Sequence, residues 1–227
     1  METPIILVNF KSYKESLNSN GLKLAEICEE VAIEYGANVA VAPQHIDLRE
    51  IKNGVDLPVF AQHIDPLEKA GAFTGHIIAE NLKSFGVDGT LINHSEKKLD
   101  LEKIKKCVEI AKKVGLSNVC CAATPEEAGQ IALFGPDFIA IEPTELIGSG
   151  ISVSTSRPEI VTKSVEIVKQ INPNIKVLCG AGITNGEDVR KAIELGTRGV
   201  LVASGIVKAA DPRKVLVGFV EGLRQDF

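Results

Sequence analysis

Short runs of apolar residues recur along the whole chain, and longer segments of mixed polarity separate them. Most of these runs are rich in valine and isoleucine, which is typical of parallel strands buried on both faces. The pattern predicts eight strands, at residues 5–8, 39–42, 58–61, 90–92, 119–122, 138–141, 176–179 and 199–202.

The segments between the predicted strands carry apolar residues at helical spacing, which predicts amphipathic helices. Glycines stand just before most strands, where the C-terminus of a helix is expected. Four stripes are clear: Leu24, Cys28, Val31 and Tyr35; Leu101, Ile104, Val108 and Ala111; Val161, Val165 and Val168; and Val189, Ala192 and Ile193.

This alternation continues without a low-complexity linker and favours a closed (β/α)8 barrel over an open doubly wound sheet. The Gly-rich fingerprint of a dinucleotide-binding unit is absent from the first strand and helix. We expect residues 1–227 to form a single domain. A seven-strand or open variant also fits the pattern, because the strand count is its weakest point.

Composition narrows the class of protein. The 227 residues include 25 basic and 30 acidic ones, for a formal charge of −5. The basic residues are dispersed, so we expect no nucleic-acid partner. No apolar stretch approaches the ~18 residues of a membrane span, and no signal peptide is apparent. Five cysteines without a CxxC pair indicate reduced core thiols rather than a metal site. We therefore expect a cytoplasmic protein without metal or organic cofactor.

Polar residues cluster where the predicted strands end, and in such barrels these ends and the following loops build the site. Asn9 and Lys11 share a strand face, and the lysine can bind phosphate or neutralise an oxyanion, or else be solvated. His94 can donate a proton to a substrate oxygen, or else bond to the backbone. Ser95 and Glu96 follow it and would organise the turn rather than perform chemistry.

The sixth run delivers one carboxylate, Glu142, to its C-terminal end. Alternation turns Ile139 and Ile141 toward the helices and aims Glu142 inward, where it can serve as a base. A capping or salt-bridged carboxylate is the alternative, and Glu145 is the rival base. The segment after the strand can move as a lid. It comprises Pro143, Thr144, Glu145, Leu146, Ile147, Gly148, Ser149 and Gly150.

Glycine-containing turns follow the last two runs, as Gly180-Ala-Gly182 and Ala203-Ser204-Gly205. Glycine lets backbone N–H groups approach an anion closely. The loops after strands seven and eight are also a frequent phosphate site in barrels. Their joint placement favours a phosphate site, although each motif alone equally fits a tight turn.

Taken in order, the motifs resemble those of the triosephosphate isomerase family, in its short archaeal form. The resemblance extends from residue 9 to residue 205. It rests on Asn9-Phe-Lys11, Ala61-Gln62, Ala72-Phe-Thr-Gly75, Asn93-His-Ser-Glu96, Glu142-Pro with Gly148-Ser-Gly150, and the two glycine turns. The sequence Thr144-Glu-Leu146 stands where the longer forms have a tryptophan-containing lid start.

The resemblance implies interconversion of dihydroxyacetone phosphate and glyceraldehyde 3-phosphate, a step of glycolysis and gluconeogenesis. Glu142 would move the proton, His94 would polarise the carbonyl, and Lys11 would stabilise the enediolate. Asn9 would hold the substrate. The backbone groups that would hold its phosphate are those of Ile147, Gly182, Ala203 and Ser204.

The resemblance also implies a homo-oligomer, a dimer or a homotetramer, assembled through the loop from Gln62 to His76. His63 and His76 depart from the asparagine and acid of the longer forms. Two alternatives stay open from the residues alone. One is another phosphate-binding barrel, a lyase or sugar-phosphate isomerase; the other is a non-catalytic sugar-phosphate-binding barrel.

Overall fold

Eight strands alternate with helices in the computed structural model, which describes residues 1–148 and 150–224. Six predicted strands match within one residue, while β5 begins two residues earlier than predicted and β3 two residues later. Pro58 has no N–H to donate to a ladder, which is the reason that β3 is short. The strands are β1 (Ile5–Asn9), β2 (Asn38–Ala42), β3 (Phe60–Ala61), β4 (Gly89–Ile92), β5 (Ser117–Ala122), β6 (Phe138–Ile141), β7 (Lys176–Cys179) and β8 (Gly199–Val202).

The strands form one parallel sheet in the order β2-β1-β8-β7-β6-β5-β4-β3. The two outer strands meet through a parallel bridge between Val41 and Val59, where the Val41 N–H donates to the Pro58 carbonyl at 3.1 Å. This contact closes the sheet on itself. The prediction of a (β/α)8 barrel is therefore confirmed over an open sheet.

Side chains alternate between two apolar cores. Every second strand residue points into the barrel, where Leu7, Leu91 and Phe138 belong to an inner cluster. The other strand residues, Ile139 and Ile141 among them, pack against the helices. Because successive strand residues point to opposite faces, the residue after Ile141 is directed back toward the barrel axis.

The predicted helical stripes face the barrel. Leu101 is an exception, because it is 37% exposed at the first residue of its helix. Gly36 and Gly115 end two helices in the left-handed conformation, as predicted. The helices are α1 (Ser19–Tyr35), α2 (Leu48–Gly54), α3 (Ala79–Ser84), α4 (Leu101–Val114), α5 (Pro125–Ala132), α6 (Val153–Ser156), α7 (Pro158–Ile171), α8 (Gly186–Glu194), α9 (Ser204–Val207) and α10 (Pro212–Leu223).

All five cysteines are free and buried. Burial raises the pKa of Cys28 and of Cys107 to about 12, so these thiols stay protonated. Within residues 1–148 and 150–224, no group of three or more His, Cys, Asp or Glu side chains is arranged to hold a metal ion. In the same residues no helix has both the length and the apolar character needed to cross a membrane.

Candidate active site

The carboxyl ends of the strands bring Asn9, Lys11, His94 and Glu142 together although they are far apart in the sequence. Two adjoining clefts open there and share Asn9, Lys11 and Tyr13 in their walls. The first is completed by Glu142, by Ile147, Gly148 and Gly150 of the predicted lid, and by the glycine turns. The second is completed by His94 and the loop after β3.

Glu142 and His94 face each other at the mouth of the barrel. The distance between Glu142 Oε2 and His94 Nε2 is 3.7 Å, and both side chains are 8% exposed. Neither atom has a hydrogen-bond partner among the described residues. A buried polar atom without a partner is unfavourable by about 1–3 kcal/mol. Such a pair is expected where a ligand supplies the missing contacts.

The turn after β4 fixes the tautomer of His94. The Glu96 backbone N–H donates to His94 Nδ1 at 3.3 Å, within a single 3-10 turn over Ser95–Lys97. Since Nδ1 accepts this bond, the proton of the neutral ring belongs on Nε2. Nε2 is the atom that faces Glu142, so His94 presents a donor to the cleft. Ser95 and Glu96 lie in this turn with Lys97.

Asn93, the residue before His94, entered the sequence analysis only as part of the family motif. It has a φ of 62°, which is uncommon for a residue other than glycine. Its side chain donates to the Cys121 carbonyl and to Glu127 Oε1, each at 2.9 Å, and accepts from the Leu99 N–H. These bonds tie the end of β4 to the end of β5.

Glu127 anchors this network from α5. Its carboxylate accepts from Asn93, from Lys98 and from the Ala123 N–H. Burial acts to raise the pKa of Glu127, but these three hydrogen bonds outweigh it and hold the pKa below the ordinary value. The side chain therefore remains ionised. In the sequence it differs from Glu126 beside it by standing three residues after the N-cap Thr124, the spacing of a capping box, which does not indicate its bond to Asn93.

Lys11 is the cation that both clefts share. Its φ of 49° turns the chain sharply after β1, and its N–H donates to Asn9 Oδ1 at 2.9 Å. Gln62 donates to the Lys11 carbonyl at 3.0 Å. The ammonium lies 3.4 Å from Glu96 Oε1, and the Lys11 side chain as a whole is 11% exposed. Lys11 is therefore held in the cleft wall rather than left in solvent.

The presumed lid follows β6 and covers the first cleft. Pro143 leads into a 3-10 turn over Thr144–Leu146, and Ile147, Gly148 and Gly150 line the cleft. Ser149, also predicted in the lid, lies outside the described residues. Glu145 is about half exposed and pairs with Arg157 at 3.1 Å. Glu145 is not among the described residues that line either cleft, which weakens it as the rival base.

The glycine turns close the far wall. Ala181 and Gly182 both have left-handed backbones, with φ of 67° and 70°. Ala203 and Ser204 line the same cleft as Gly182. The Ile147 N–H, also predicted to hold phosphate, donates instead to the Thr144 carbonyl at 3.3 Å. A phosphate at that amide would have to replace this long bond.

The loop from Gln62 to His76 projects beyond the barrel. Its base is fixed by Asp65, whose carboxylate accepts from the Ile77 N–H at 2.7 Å and lies 3.3 Å from ring nitrogens of His63 and His76. Residues 68–76 are all exposed. Phe73 stands among them with 48% of its surface exposed.

The architecture and this constellation define a (β/α)8-barrel protein with a buried Glu–His pair, a lysine and glycine-rich turns at the carboxyl end of the strands. Comparison with protein families gives a more specific result. The family model described as triosephosphate isomerase matches residues 4–221. The chain belongs to the triosephosphate isomerase family and is an isomerase. The predicted family and reaction class are therefore confirmed.

Curated archaeal relatives agree along nearly their whole length. The triosephosphate isomerase of Methanothermus fervidus is 51% identical over 216 residues, covering 95% of this chain and 97% of the relative. That of Methanothermobacter thermautotrophicus is 49% identical over 219 residues, covering 96% and 95%. That of Methanocaldococcus jannaschii is 48% identical over 212 residues, covering 93% and 96%.

Proposed function

We propose that the chain interconverts dihydroxyacetone phosphate and D-glyceraldehyde 3-phosphate through an enediol or enediolate, with Glu142 as the base. The carboxylate takes a proton from the carbon beside the carbonyl and returns it to the neighbouring carbon. The observation that carries this assignment is the buried pair Glu142 Oε2 and His94 Nε2, 3.7 Å apart and without other partners among the described residues.

His94 supplies the electrophile in this proposal. The bond from the Glu96 N–H to Nδ1 supports a neutral ring with its proton on Nε2. That proton can be donated to the substrate oxygen as negative charge develops on it. Lys11 adds a positive charge on the shared wall of the two clefts and stabilises the enediolate and the phosphate.

Asn9, the lid and the glycine turns hold the substrate. Asn9 lines both clefts beside Lys11. The backbone groups proposed for the phosphate are those of Ile147, Gly182, Ala203 and Ser204. Closing the lid excludes water, which matters because an exposed enediolate phosphate can eliminate phosphate to give methylglyoxal. The proton transfer uses no metal or organic cofactor.

Matched variants test the assignment of the base. Turnover of glyceraldehyde 3-phosphate is measured in a coupled assay for the parent, Glu142→Gln and Glu145→Gln. Removing the base should lower kcat by about 10³-fold, within the usual range for general acid–base catalysis. Glu145→Gln should stay near the parent value, because Glu145 pairs with Arg157 at the surface.

Three outcomes separate the alternatives. A folded Glu142→Gln variant with normal turnover would remove Glu142 as the base. Equal losses in both variants would point to a general effect on the lid. A folded parent that binds triose phosphates without converting them would favour a non-catalytic binding barrel, and conversion to another product would favour a lyase.

We also propose that two or more copies assemble through the loop Gln62–His76, as a dimer or a tetramer. Two observations support this loop as the interface: Phe73 is exposed within it, and Asp65 fixes its base by accepting from the Ile77 N–H. Phe73→Ser should shift the sedimentation coefficient toward the monomer, whereas Phe85→Ser, at a ring that is 52% exposed, should not. An unchanged oligomer in the first variant would place the interface elsewhere.

A cytoplasmic location is proposed on the five reduced thiols.

A further inference from the structure

A buried carboxylate outside the proposed catalytic set joins the turn after β7, which lines the first cleft, to the helix that follows the predicted lid. Asp188, in the first turn of α8, is 8% exposed. It accepts from the Thr184 N–H at 3.0 Å and from the Thr184 hydroxyl at 3.2 Å. Its other oxygen accepts from the Thr155 hydroxyl at 3.1 Å. Thr184 belongs to the turn after β7, and Thr155 belongs to α6, directly after the lid.

A helix cap explains only part of this arrangement. Asn185 Oδ1 accepts from the Asp188 N–H at 3.0 Å, which is an N-cap of α8. In a capping box the acidic side chain would return to the N–H of the N-cap residue itself. Asp188 reaches one residue further back, to Thr184, and also across to Thr155. The contact with α6 has no role in capping α8.

The same two segments meet at further points around Asp188. The Ser154 hydroxyl donates to the Asp188 carbonyl at 2.9 Å, and the Val153 N–H donates to the Ala181 carbonyl at 3.3 Å. A Cβ on Gly182 would lie 1.8 Å from the Ile151 carbonyl oxygen, so the two backbones are in direct contact there. The chain after the lid is therefore fastened to the turn that carries Gly182.

The charge of Asp188 is balanced by dipoles. Among the described residues it has no ion-pair partner; its carboxylate is held by two hydroxyls, one amide and the N-terminal end of α8. Short hydroxyl and amide donors hold a carboxylate at a narrower range of positions than a flexible lysine does. The Asp188 carboxylate can therefore hold Thr155 and Thr184 at fixed positions relative to each other.

We infer that Asp188 is a positioning residue that keeps the end of the lid and the turn after β7 in register, so that both present their amides to the substrate phosphate together. The inference rests on the proposed function of that turn. It assigns Asp188 no contact with the substrate and no part in proton transfer. Its removal should weaken phosphate recognition while sparing the chemistry at Glu142 and His94.

Three variants separate this role from capping. Asp188→Ala removes both links, and Thr155→Val removes only the link to α6 at an exposed position. Asp211→Ala is the matched control, because Asp211 caps α10 by accepting from the Lys214 N–H at 3.0 Å. Each variant is assayed for KM and kcat on glyceraldehyde 3-phosphate and for inhibition by inorganic phosphate. Deuterium incorporation into unphosphorylated glyceraldehyde is followed by NMR.

Asp188→Ala should raise both KM and the inhibition constant for inorganic phosphate about tenfold. Thr155→Val should raise both in the same direction by a smaller factor, and its effect should vanish in the Asp188→Ala background. The rate on glyceraldehyde should be unchanged in all variants. Asp211→Ala should change only thermal stability.

Two results would overturn the inference while leaving the isomerase assignment intact. In one, Asp188→Ala and Thr155→Val stay as active as the parent and only their melting temperatures fall, which would make Asp188 a helix cap. In the other, Asp188→Ala lowers the rates on glyceraldehyde 3-phosphate and on unphosphorylated glyceraldehyde by the same factor. A parent that neither turns over glyceraldehyde 3-phosphate nor is inhibited by inorganic phosphate would instead reject the proposed function, and the inference with it.

Discussion

Gly180→Ala offers a direct test of the geometry of Glu142. Gly180 is buried at the end of β7, and a Cβ added there would lie 2.5 Å from Glu142 Cγ, 3.0 Å from Oε1 and 3.1 Å from Cδ. Ordinary contact begins at 3.4 Å. The three nearest atoms all belong to one side chain that can rotate, and Gly180 is not among the glycines with positive φ. The fold should therefore survive, and Glu142 should move.

The size of the movement sets the expected loss. Relief of the contact requires a displacement of about 1 Å, and a misplacement of that size in a catalytic group can lower the rate by about 10²-fold. We expect this loss in kcat on glyceraldehyde 3-phosphate. KM should change little, because the groups proposed to hold the phosphate belong to other residues, namely Ile147, Gly182, Ala203 and Ser204.

Gly218→Ala is the matched control for this variant. Gly218 lies inside α10, and an added Cβ would meet nothing within 4 Å. The replacement should stabilise the helix by about 0.5–1 kcal/mol and leave kcat unchanged. A Gly180→Ala protein with the parent's melting temperature and kcat within about twofold would refute the reasoning, since the position of Glu142 would then not limit the reaction.

Three further predictions concern the residues around this site. Asn93→Ala should lower the free energy of unfolding in urea by about 2–3 kcal/mol, because it loses three hydrogen bonds and strains a left-handed backbone, whereas Asn93→Gly should lose less. Lys11→Ala should lower kcat/KM by about 10²-fold, since both clefts lose their shared cation. Burial lowers the pKa of His63 in the folded state, so the unfolded chain binds more protons than the folded chain as pH falls through about 6.5. The free energy of unfolding should therefore decrease on acidification. His63→Gln should make this decrease smaller between about pH 7 and 5.

Each prediction has an outcome that contradicts it. Equal stabilities of the two Asn93 variants would mean that the left-handed backbone is not strained by alanine. Normal kinetics in Lys11→Ala would reject the role of its charge. An unchanged pH slope in His63→Gln would assign the acid sensitivity in this range to another group, such as His45, whose pKa is also lowered by burial. Asp65 does not act in this range. Its pKa is lowered in the folded state by its bonds to Ile77 and His63, against the effect of burial, so its contribution to stability is lost only below about pH 4.

The sequence pattern located the strands well because their character is local. Runs such as residues 138–141 and 199–202 are apolar on both faces, and the buried strands match them without a shift. The period of two also directed Glu142 inward, since Ile139 and Ile141 pack outside the barrel. The shortening of β3 was missed, although Pro58, which has no N–H to donate to a ladder, is visible in the sequence.

The residues that support the site could not be predicted in the same way. Glu126 and Glu127 are adjacent and chemically identical, yet Glu127 holds Asn93 while Glu126 pairs with Lys163 at the surface. Asp188 looks like an ordinary first-turn acid of a helix until Thr155 is brought beside it. Their roles depend on partners that lie 33 or 34 residues away in the chain.

The sequence by itself determined the alternation of strands and helices, the family, and the polar residues at the strand ends, because periodicity and motifs are properties of neighbouring positions. Only the tertiary structure decided which of those residues meet. Closure of the barrel sets Glu142 Oε2 3.7 Å from His94 Nε2, across 48 positions of sequence. It also leaves Gly180 without room for a methyl group beside Glu142. Distances of this kind follow from the packing of all eight strands together, and no local segment contains them.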